Sequence, residues 1–403
     1  MAGLFLLSVT VYRWQAFTHF AWTIILFKFL VTSSFFLCCY GMGRMVKLPI
    51  AVCLALPIVL EGISWFYIQH IIRANQHVEK HSIGVLDKWI NYRDVIQFNR
   101  QFSSFSPDLG YTLRPNSKGY HHDLEYDNEF IINSFGLRDD ERSLAKPGII
   151  FIGDSFTMGW GIDQDKTFAQ LTEQKTGTKA LNAGISSYGT YREMLLLSKL
   201  QRDSCKLLVI QYCDNDIEEN TARNGPEFQS QLLTEKTFAN VGIFNRLNES
   251  YFPMRYSYFF VREKELFKNI FTQPVQLWHD TSNAIQCWIA GTPPNAIPFT
   301  IKSETEVNDH AVQFFKVLSK IREIYPGNIV VMHLDGRYTK PEMINKFETE
   351  AQKRNDPKLH FLRACDLLST SDYYPIDGHL NTSGHEKIAS GLHDLIRSKK
   401  LLD

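Results

Sequence analysis

Apolar residues crowd into two runs near the N-terminus. The first extends from about Ala16 to Met42 and is interrupted by Lys28, and the second, from about Leu48 to Ile72, carries only Glu61 as a charge. Each run reaches the roughly 20 residues that a helix needs to cross a hydrocarbon core. We therefore predict two N-terminal transmembrane helices, which make residues 1–73 a membrane anchor.

Two other interpretations of these runs stay open. A signal peptide is disfavoured, because a second apolar run follows at once and no clear small-residue cleavage site is present. A buried core helix suits the second run better than the first, since the second contains Pro57 and Glu61. Glu61 would be costly in lipid and is therefore expected to face protein, water or a partner.

The short loop between the two runs carries Arg44 and Lys47. By the positive-inside tendency, this loop is cytoplasmic. Both ends of the anchor then lie outside, and the bulk of the chain follows on the outer side. We expect a multi-pass membrane protein with a periplasmic main domain.

From residue 148 onward, short apolar runs alternate with segments of helical spacing. The strand-like runs are Ile149–Ile152, Ala180–Gly184, Leu207–Ile210, Ile329–Met332 and Leu359–Leu362. The helix-like segments are Thr167–Lys175, Tyr191–Leu200, Val307–Ile324, Pro341–Arg354 and Gly384–Arg397. Strands that alternate with helices predict an α/β domain with a mostly parallel sheet covered on both faces.

Two segments depart from this alternation. Residues 74–147 predict a stalk followed by an upstream accessory segment rich in turns and short strands. Residues from about 220 to 305 are rich in aromatic side chains and lose the α/β rhythm, so they form either an insertion that lines the site or a packed structural excursion. The α/β domain is thus expected to span residues 148–403 with this insertion inside it.

The composition removes several classes of function. Lys and Arg together number 43, as do Asp and Glu, so the formal net charge of zero gives no sign of a nucleic-acid partner. The seven cysteines show no CxxC or Cys/His spacing, so no metal or cofactor is expected. Disulfides remain open for four of them outside the membrane: Cys205, Cys213, Cys287 and Cys365.

Candidate chemistry begins at the end of the first strand, where Gly153 and Asp154 precede Ser155. Alone, such a triplet favours a strand-to-helix turn over a nucleophile. A serine hydroxyl needs a base to become nucleophilic, and His379 near the C-terminus can be that base, with Asp377 orienting its ring. The predicted strand before His379 ends at the same edge of the sheet as the strand before Ser155. We therefore expect the loop that carries His379 to meet the loop that carries Ser155.

An acyl-transfer site also needs hydrogen-bond donors for the oxyanion. Gly184 follows the second strand with an unobstructed N–H, and Asn215 follows the third with a side-chain amide. Together with the N–H of Ser155, these groups predict an oxyanion hole at the same edge of the sheet.

The sequence blocks that follow these four strands resemble those of the SGNH/GDSL hydrolase superfamily. Its name-giving residues match Ser155, Gly184, Asn215 and His379. The upstream segment and the Met158–Gly161 stretch are similar to those of membrane-anchored bacterial members. The resemblance implies a flavodoxin-like three-layer α/β/α domain that acts without a cofactor. Two departures stand out. Cys213 replaces the usual Gly of the third block, and the Asp377–His379 block is one residue shorter than Asp-x-x-His, which leaves His385 as a competing base.

The resemblance implies a serine esterase that acts on O-acyl esters of an envelope polysaccharide or a lipid. An O-acyltransferase is the first alternative, because the same acyl-enzyme can pass its group to a sugar hydroxyl. That activity would imply a membrane-embedded acyltransferase partner. A non-catalytic binding or assembly module with the same fold is the further alternative.

Overall fold

The computed structural model of the protein describes residues 21–74, 96–98, 102–123, 125–223, 234–239, 256, 303–336, 339–375 and 377–403. The chain divides into two compact units. One comprises residues 1–76, 82–94 and 243–297, and the other comprises residues 77–81, 95–242 and 298–403. The domain boundary predicted at residue 147 falls inside the second unit. Most of the insertion predicted at 220–305 lies outside the described residues.

Two helices make up most of the described part of the first unit, α1 (Ala21–Met45) and α2 (Ile50–Ala74), at the positions of the two apolar runs. The start of the first run lies outside the described residues. A Cβ atom on Gly43 would lie only 2.1 Å from Sγ of Cys53, so the two helices approach closely beside their connecting turn. In the described part of the chain, no helix has the length and apolar character needed to cross a membrane, in contrast to the two spans expected.

Glu61 on α2 has the protein contact expected for a charge inside an apolar run. Its Oε1 atom accepts a hydrogen bond of 2.9 Å from the backbone N–H of Tyr256 in the same unit.

The second unit begins with two small antiparallel hairpins. Strands β1 (Ser103–Ser106) and β2 (Gly110–Leu113) form the first, and β3 (Lys118–His122) and β4 (Asp127–Ile131) form the second. Short strands and turns were expected here. The hairpins belong to the same compact unit as the main sheet.

The main sheet has five parallel strands, as predicted. They are β5 (Ile149–Ile152), β6 (Ala180–Asn182), β7 (Leu207–Tyr212), β8 (Asn328–His333) and β9 (Leu359–Leu362). Their spatial order, β6-β5-β7-β8-β9, is the flavodoxin-like order. The order reverses between β5 and β7, and in such sheets the crevice beyond the carboxyl ends of these two strands is where ligands bind.

Helices cover both faces of this sheet. They are α3 (Ser155–Met158), α4 (Phe168–Thr176), α5 (Thr190–Lys199), α6 (Asp216–Arg223), α7 (Glu304–Ile324), α8 (Pro341–Gln352) and α9 (Thr382–Lys399). Short 3-10 turns lie at Ile96–Phe98, Arg142–Leu144, Gln164–Lys166, Ala364–Asp366 and Thr370–Asp372. The five predicted helices are confirmed to within a few residues. Helix α7 starts earlier than expected because Ser303 and Glu306 form a capping box.

Alternate side chains of each strand enter opposite cores, which explains the three layers. Ile150 and Ile152 on β5 pack into a core with α5, α7 and α8. Ile149 and Phe151 pack into the other core with α4 and α9. Because both faces are buried, the central strands read as unbroken apolar runs in the sequence.

Candidate active site

Ser155 occupies a tight turn between β5 and α3. A Cβ atom on Gly153 would lie 2.1 Å from Oγ1 of Thr157, so only glycine allows the backbone to pass here. Asp154 caps α3, because its carboxylate accepts the backbone N–H of Phe156 at 2.9 Å. Ser155 is the first residue of α3, and its N–H therefore has no carbonyl of its own helix to bind.

Gln211 on β7 fastens this turn to the neighbouring strand. Its Oε1 atom accepts hydrogen bonds from the backbone N–H of Asp154 at 3.1 Å and from the hydroxyl of Thr157 at 3.0 Å. Gln211 is fully buried in the sheet, so both contacts are shielded from water. The turn that carries Ser155 is therefore anchored from both of its ends.

Ser155, His379 and Asp377 form one hydrogen-bonded chain. The Oγ atom of Ser155 lies 2.7 Å from Nε2 of His379, and Nδ1 of His379 is hydrogen-bonded to Oδ1 of Asp377. The side chain of Asp377 is wholly buried, whereas that of His379 is 21% exposed. The structure thus brings together the three residues that the sequence proposed as nucleophile, base and orienting acid, with the base still reachable from solvent.

The shortened Asp377–His379 block keeps this geometry through its central glycine. Gly378 has a φ of +89°, which is a left-handed conformation. Its N–H donates to the carbonyl of Tyr374 at 2.9 Å, and the N–H of Tyr374 donates back to the carbonyl of His379 at 2.8 Å. This closed turn sets the side chains of Asp377 and His379 beside each other, although the block lacks one residue.

His385, the competing base, is placed elsewhere and performs a structural task. It is buried, its Nδ1 atom accepts the backbone N–H of Phe168 at 3.1 Å, and its ring stacks on the ring of Phe168. Burial lowers the pKa of His385 to about 3, with Arg138 and His379 adding to that shift. A neutral imidazole already used as an acceptor by the backbone does not fit the role of base for Ser155.

Gly184 lies against the helix that begins with Ser155. A Cβ atom on Gly184 would lie 2.3 Å from the backbone nitrogen of Met158, so the residue must be glycine for the two segments to approach. Its N–H donates to Oδ1 of Asn182 at 3.0 Å. Donation by Gly184 to an oxyanion would require Asn182 to share this hydrogen, so its oxyanion role stays a prediction.

Asn215 is exposed in the turn between β7 and α6, at the edge of the sheet where Ser155 also lies. Its oxyanion role also stays a prediction. Cys213, which replaces the glycine of this block, is buried with its Sγ atom 3.8 Å from Oδ1 of Asp335. Burial raises the pKa of the Cys213 thiol, so it is a neutral group.

Asp216 begins α6 and links this helix to its neighbour. The hydroxyl of Thr190 donates to its Oδ2 atom at 2.7 Å, and this contact joins α6 to α5. Burial raises the pKa of Asp216 and that of Glu193 well above the usual value; Asp154 adds to the shift of Asp216, and Asp216 adds to that of Glu193. Burial therefore favours the protonated form of both acids.

Two aromatic residues at the site were not singled out from the sequence. The hydroxyl of Tyr126 lies 3.0 Å from Oδ2 of Asp377, and Nε1 of Trp160 lies 3.3 Å from the same oxygen. Trp160 lies in the Met158–Gly161 stretch that contributes to the family resemblance, so the sequence contained a motif that could have pointed to it. Tyr126 belongs to no motif.

Arg138 in the upstream segment joins the elements that carry these two aromatic residues. It is fully buried, and its guanidinium donates to the carbonyls of Glu129 at 3.0 Å and Ile162 at 2.6 Å. The guanidinium also lies 3.6 Å over the ring of Phe130. Burial lowers the pKa of Arg138 to about 9. The upstream segment is thereby fixed to the loop that follows Ser155.

In the part of the chain that the structure describes, no group of three or more His, Cys, Asp or Glu side chains is placed to hold a metal ion. The six cysteines described there are free thiols: Cys38, Cys39, Cys53, Cys205, Cys213 and Cys365. Cys287 lies outside the described residues.

Comparison with known proteins finds distant structural likenesses. No family model and no curated protein matches the chain. A lipolytic protein of the G-D-S-L family from Desulfitobacterium hafniense is 10% identical with a TM-score of 0.32, over 61% of this chain and 98% of the other. A family 2 carbohydrate esterase with a carbohydrate-binding domain from Corynascus is 14% identical with a TM-score of 0.35, over 64% and 67%. An acetyl xylan esterase from the rumen bacterium Butyrivibrio proteoclasticus is 15% identical with a TM-score of 0.34, over 63% and 64%. These scores are low, so the likenesses assign no activity to the chain.

Proposed function

We propose that the protein is a serine esterase that cleaves O-acyl esters through an acyl-enzyme. The observation that carries this proposal is the hydrogen-bonded chain from Ser155 through His379 to Asp377, in which every side chain has the partner that its role requires. The anchored turn around Ser155 supports it, because a nucleophile must be held in one geometry to react efficiently.

The reaction follows from these contacts. Nε2 of His379 accepts the proton of Ser155 as Oγ forms a bond to the ester carbonyl carbon. The buried carboxylate of Asp377 stabilises the imidazolium. His379 then gives this proton to the departing alkoxide as the ester C–O bond breaks, which leaves an acyl group on Ser155. A water molecule, deprotonated by His379, attacks that group, and the carboxylic acid leaves as the proton returns to Ser155.

The substrate proposed is an O-acylated carbohydrate or lipid of the cell envelope. What supports this class is the resemblance of the Ser155, Gly184, Asn215 and His379 blocks to the SGNH superfamily. If an acceptor hydroxyl takes the place of water, the same acyl-enzyme performs acyl transfer, and a membrane-embedded acyltransferase would be its source of acyl groups. The experiment below separates the two outcomes.

The test uses the full chain in mild detergent with p-nitrophenyl acetate and a fluorophosphonate probe. We expect turnover of the ester and covalent labelling of Ser155, with both lost in Ser155→Ala. Transfer of acetyl to an added glycan at the expense of acetate release would assign acyltransferase activity. An unlabelled wild-type protein that also lacks turnover would contradict both activities and favour a non-catalytic module.

We also propose that helices α1 and α2 contact membrane lipid. The large apolar side chains that are exposed in the described chain lie mostly on these helices, among them Phe29, Ile58 and Ile63. We expect the protein to stay in the membrane pellet after a carbonate wash, and Ile58→Lys with Ile63→Lys to weaken that retention. Recovery of the wild-type protein in the soluble fraction would contradict the proposal.

A further inference from the structure

The β3–β4 hairpin reaches the orienting acid of the triad. Tyr126 precedes β4 and is fully buried, and its hydroxyl lies 3.0 Å from Oδ2 of Asp377. The neighbouring Glu125 accepts the backbone N–H of Asp377 on its Oε2 atom at 2.6 Å. One hairpin turn therefore holds both the side chain and the backbone of Asp377, from 251 residues away in the chain.

The polarity of these contacts is fixed by chemistry. The indole N–H of Trp160 can only donate, and it lies 2.6 Å from the hydroxyl oxygen of Tyr126. The Tyr126 hydroxyl thus accepts from Trp160, which leaves its own proton for Asp377. The same indole N–H lies 3.3 Å from Oδ2 of Asp377. Oδ2 consequently accepts the Tyr126 hydroxyl and the longer branch of the shared indole N–H, while Oδ1 is engaged with His379.

These donors matter because the carboxylate is buried. A carboxylate with no exposed surface is costly unless hydrogen bonds to its charged form replace water. Without Tyr126 and Trp160, the carboxylate would be free to rotate toward other donors or to take up a proton. Either event would release the ring of His379.

Packing leaves Trp160 little freedom to move. Its ring stacks on the ring of His379 with centroids 5.3 Å apart and planes inclined by 21°. Next to it, Gly161 has a φ of +79°, and a Cβ atom there would lie 2.9 Å from the ring of Tyr126. The close approach of hairpin and loop therefore requires a glycine at this position.

We propose that Tyr126 and Trp160 are positioning residues that hold Asp377 as the charged partner of His379, which makes the β3–β4 hairpin part of the catalytic unit. This inference rests on the proposed function of the triad. It goes beyond that function by assigning a role in the reaction to an element upstream of the α/β domain.

The test measures the rate of fluorophosphonate labelling of Ser155 against pH in Tyr126→Phe. Tyr111→Phe is the matched control, because Tyr111 is another buried tyrosine of the upstream strands, and its hydroxyl donates to the carbonyl of Ser186 at 2.7 Å. We expect the plateau rate of Tyr126→Phe to fall by roughly tenfold, the scale of one hydrogen bond to a charged group.

The acid limb of the profile should also move to lower pH in Tyr126→Phe, because an Asp377 that rotates away or takes up a proton no longer stabilises the imidazolium of His379. A loss of stability alone would not move that limb. Tyr111→Phe should keep the wild-type rate and profile. Trp160→Phe, which keeps a ring over His379 and removes the donor, should repeat the shift and covers the case in which Tyr126→Phe does not fold.

Labelling of Tyr126→Phe and Trp160→Phe at the wild-type rate with the wild-type profile would overturn the positioning role while leaving the esterase proposal intact. A wild-type protein that is not labelled at all would instead overturn the proposed function, and the positioning role with it.

Discussion

The Nε2 atom of His379 lies 2.7 Å from Oγ of Ser155, although 224 residues separate them along the chain. The flavodoxin-like strand order explains the contact. Ser155 follows β5 at the point where the order reverses, and His379 lies in the loop between β9 and α9 at the same edge. Parallel strands deliver both loops to one side of the sheet, so a contact distant in sequence follows from simple topology.

The two candidate bases can be told apart by substitution. We expect His379→Ala to abolish fluorophosphonate labelling of Ser155. Among the described residues, His379 is the proton acceptor in hydrogen-bond contact with Oγ of Ser155. His385→Gln should retain labelling and lose thermal stability, since His385 serves the backbone of Phe168. Mass spectrometry of the labelled peptide and a thermal unfolding curve measure the two effects. Labelling in His379→Ala together with its loss in His385→Gln would reverse the assignment.

The conformation of Gly378 makes a second prediction. Its φ of +89° is strained for any residue with a Cβ atom, at a cost of roughly 1–2 kcal/mol. We expect Gly378→Ala to shift Asp377 relative to His379 and to lower kcat/KM by tenfold or more, on the order expected for misplaced catalytic groups.

Gly177→Ala is the control for that substitution. Gly177 also has a positive φ of +66°, but it ends α4 in open space, away from the triad. This variant should lose about 1 kcal/mol of stability with kcat/KM unchanged. Equal kinetic losses in Gly177→Ala and Gly378→Ala would mean that the left-handed turn at Gly378 has no special link to catalysis.

Most of the fold could be predicted because its determinants are local. Each buried parallel strand, such as Ile149–Ile152, is an unbroken apolar run, and amphipathic segments between the runs indicate the helices. The contact between Ser155 and His379 could also be predicted, since both residues stand in short recognisable blocks just after strands. Topology then required these blocks to meet.

Tyr126 could not be predicted, because nothing in its local sequence marks it. Its role arises from a hydrogen bond across 251 residues, and from the loop geometry around Gly161 that lets its ring approach. The hydrogen bond made by the N–H of Gly184 could not be predicted for a similar reason. Its N–H is free in the sequence pattern but is bound by Asn182 two residues earlier, which only the folded turn reveals.

Asn215 offers a direct test of the predicted oxyanion hole. Its exposed side chain stands at the edge of the sheet where Ser155 lies, and removal of one oxyanion donor typically lowers kcat by about 10²–10³-fold. We expect Asn215→Ala to show a loss of kcat on that order, with KM for p-nitrophenyl acetate within about twofold of wild type. Initial rates measured up to saturating ester give both constants. A kcat equal to that of the wild type would remove Asn215 from the oxyanion hole.

The acid pair beyond β7 and β8 predicts how stability changes with pH. Burial and the neighbouring carboxyl of Asp214 raise the pKa of Asp335 to about 6, from an ordinary value of 3.8. The folded state therefore binds an extra proton between these pH values, and the resulting stability is lost as pH rises through the folded-state pKa. The loss from about pH 4 to pH 7 is on the order of 2 kcal/mol.

Asp335→Asn removes the ionisable group, so the variant lacks this pH-dependent loss. Its free energy of unfolding should therefore rise relative to that of the wild type from pH 4 to pH 7. Urea unfolding curves at several pH values in mild detergent measure the difference. Asp366→Asn is the control, because Asp366 is an exposed acid whose pKa is lowered by its hydrogen bond to Arg363, so its stability contribution is constant above about pH 5. A difference between Asp335→Asn and the wild type that is flat across pH 4–7 would show that Asp335 ionises normally in the folded protein.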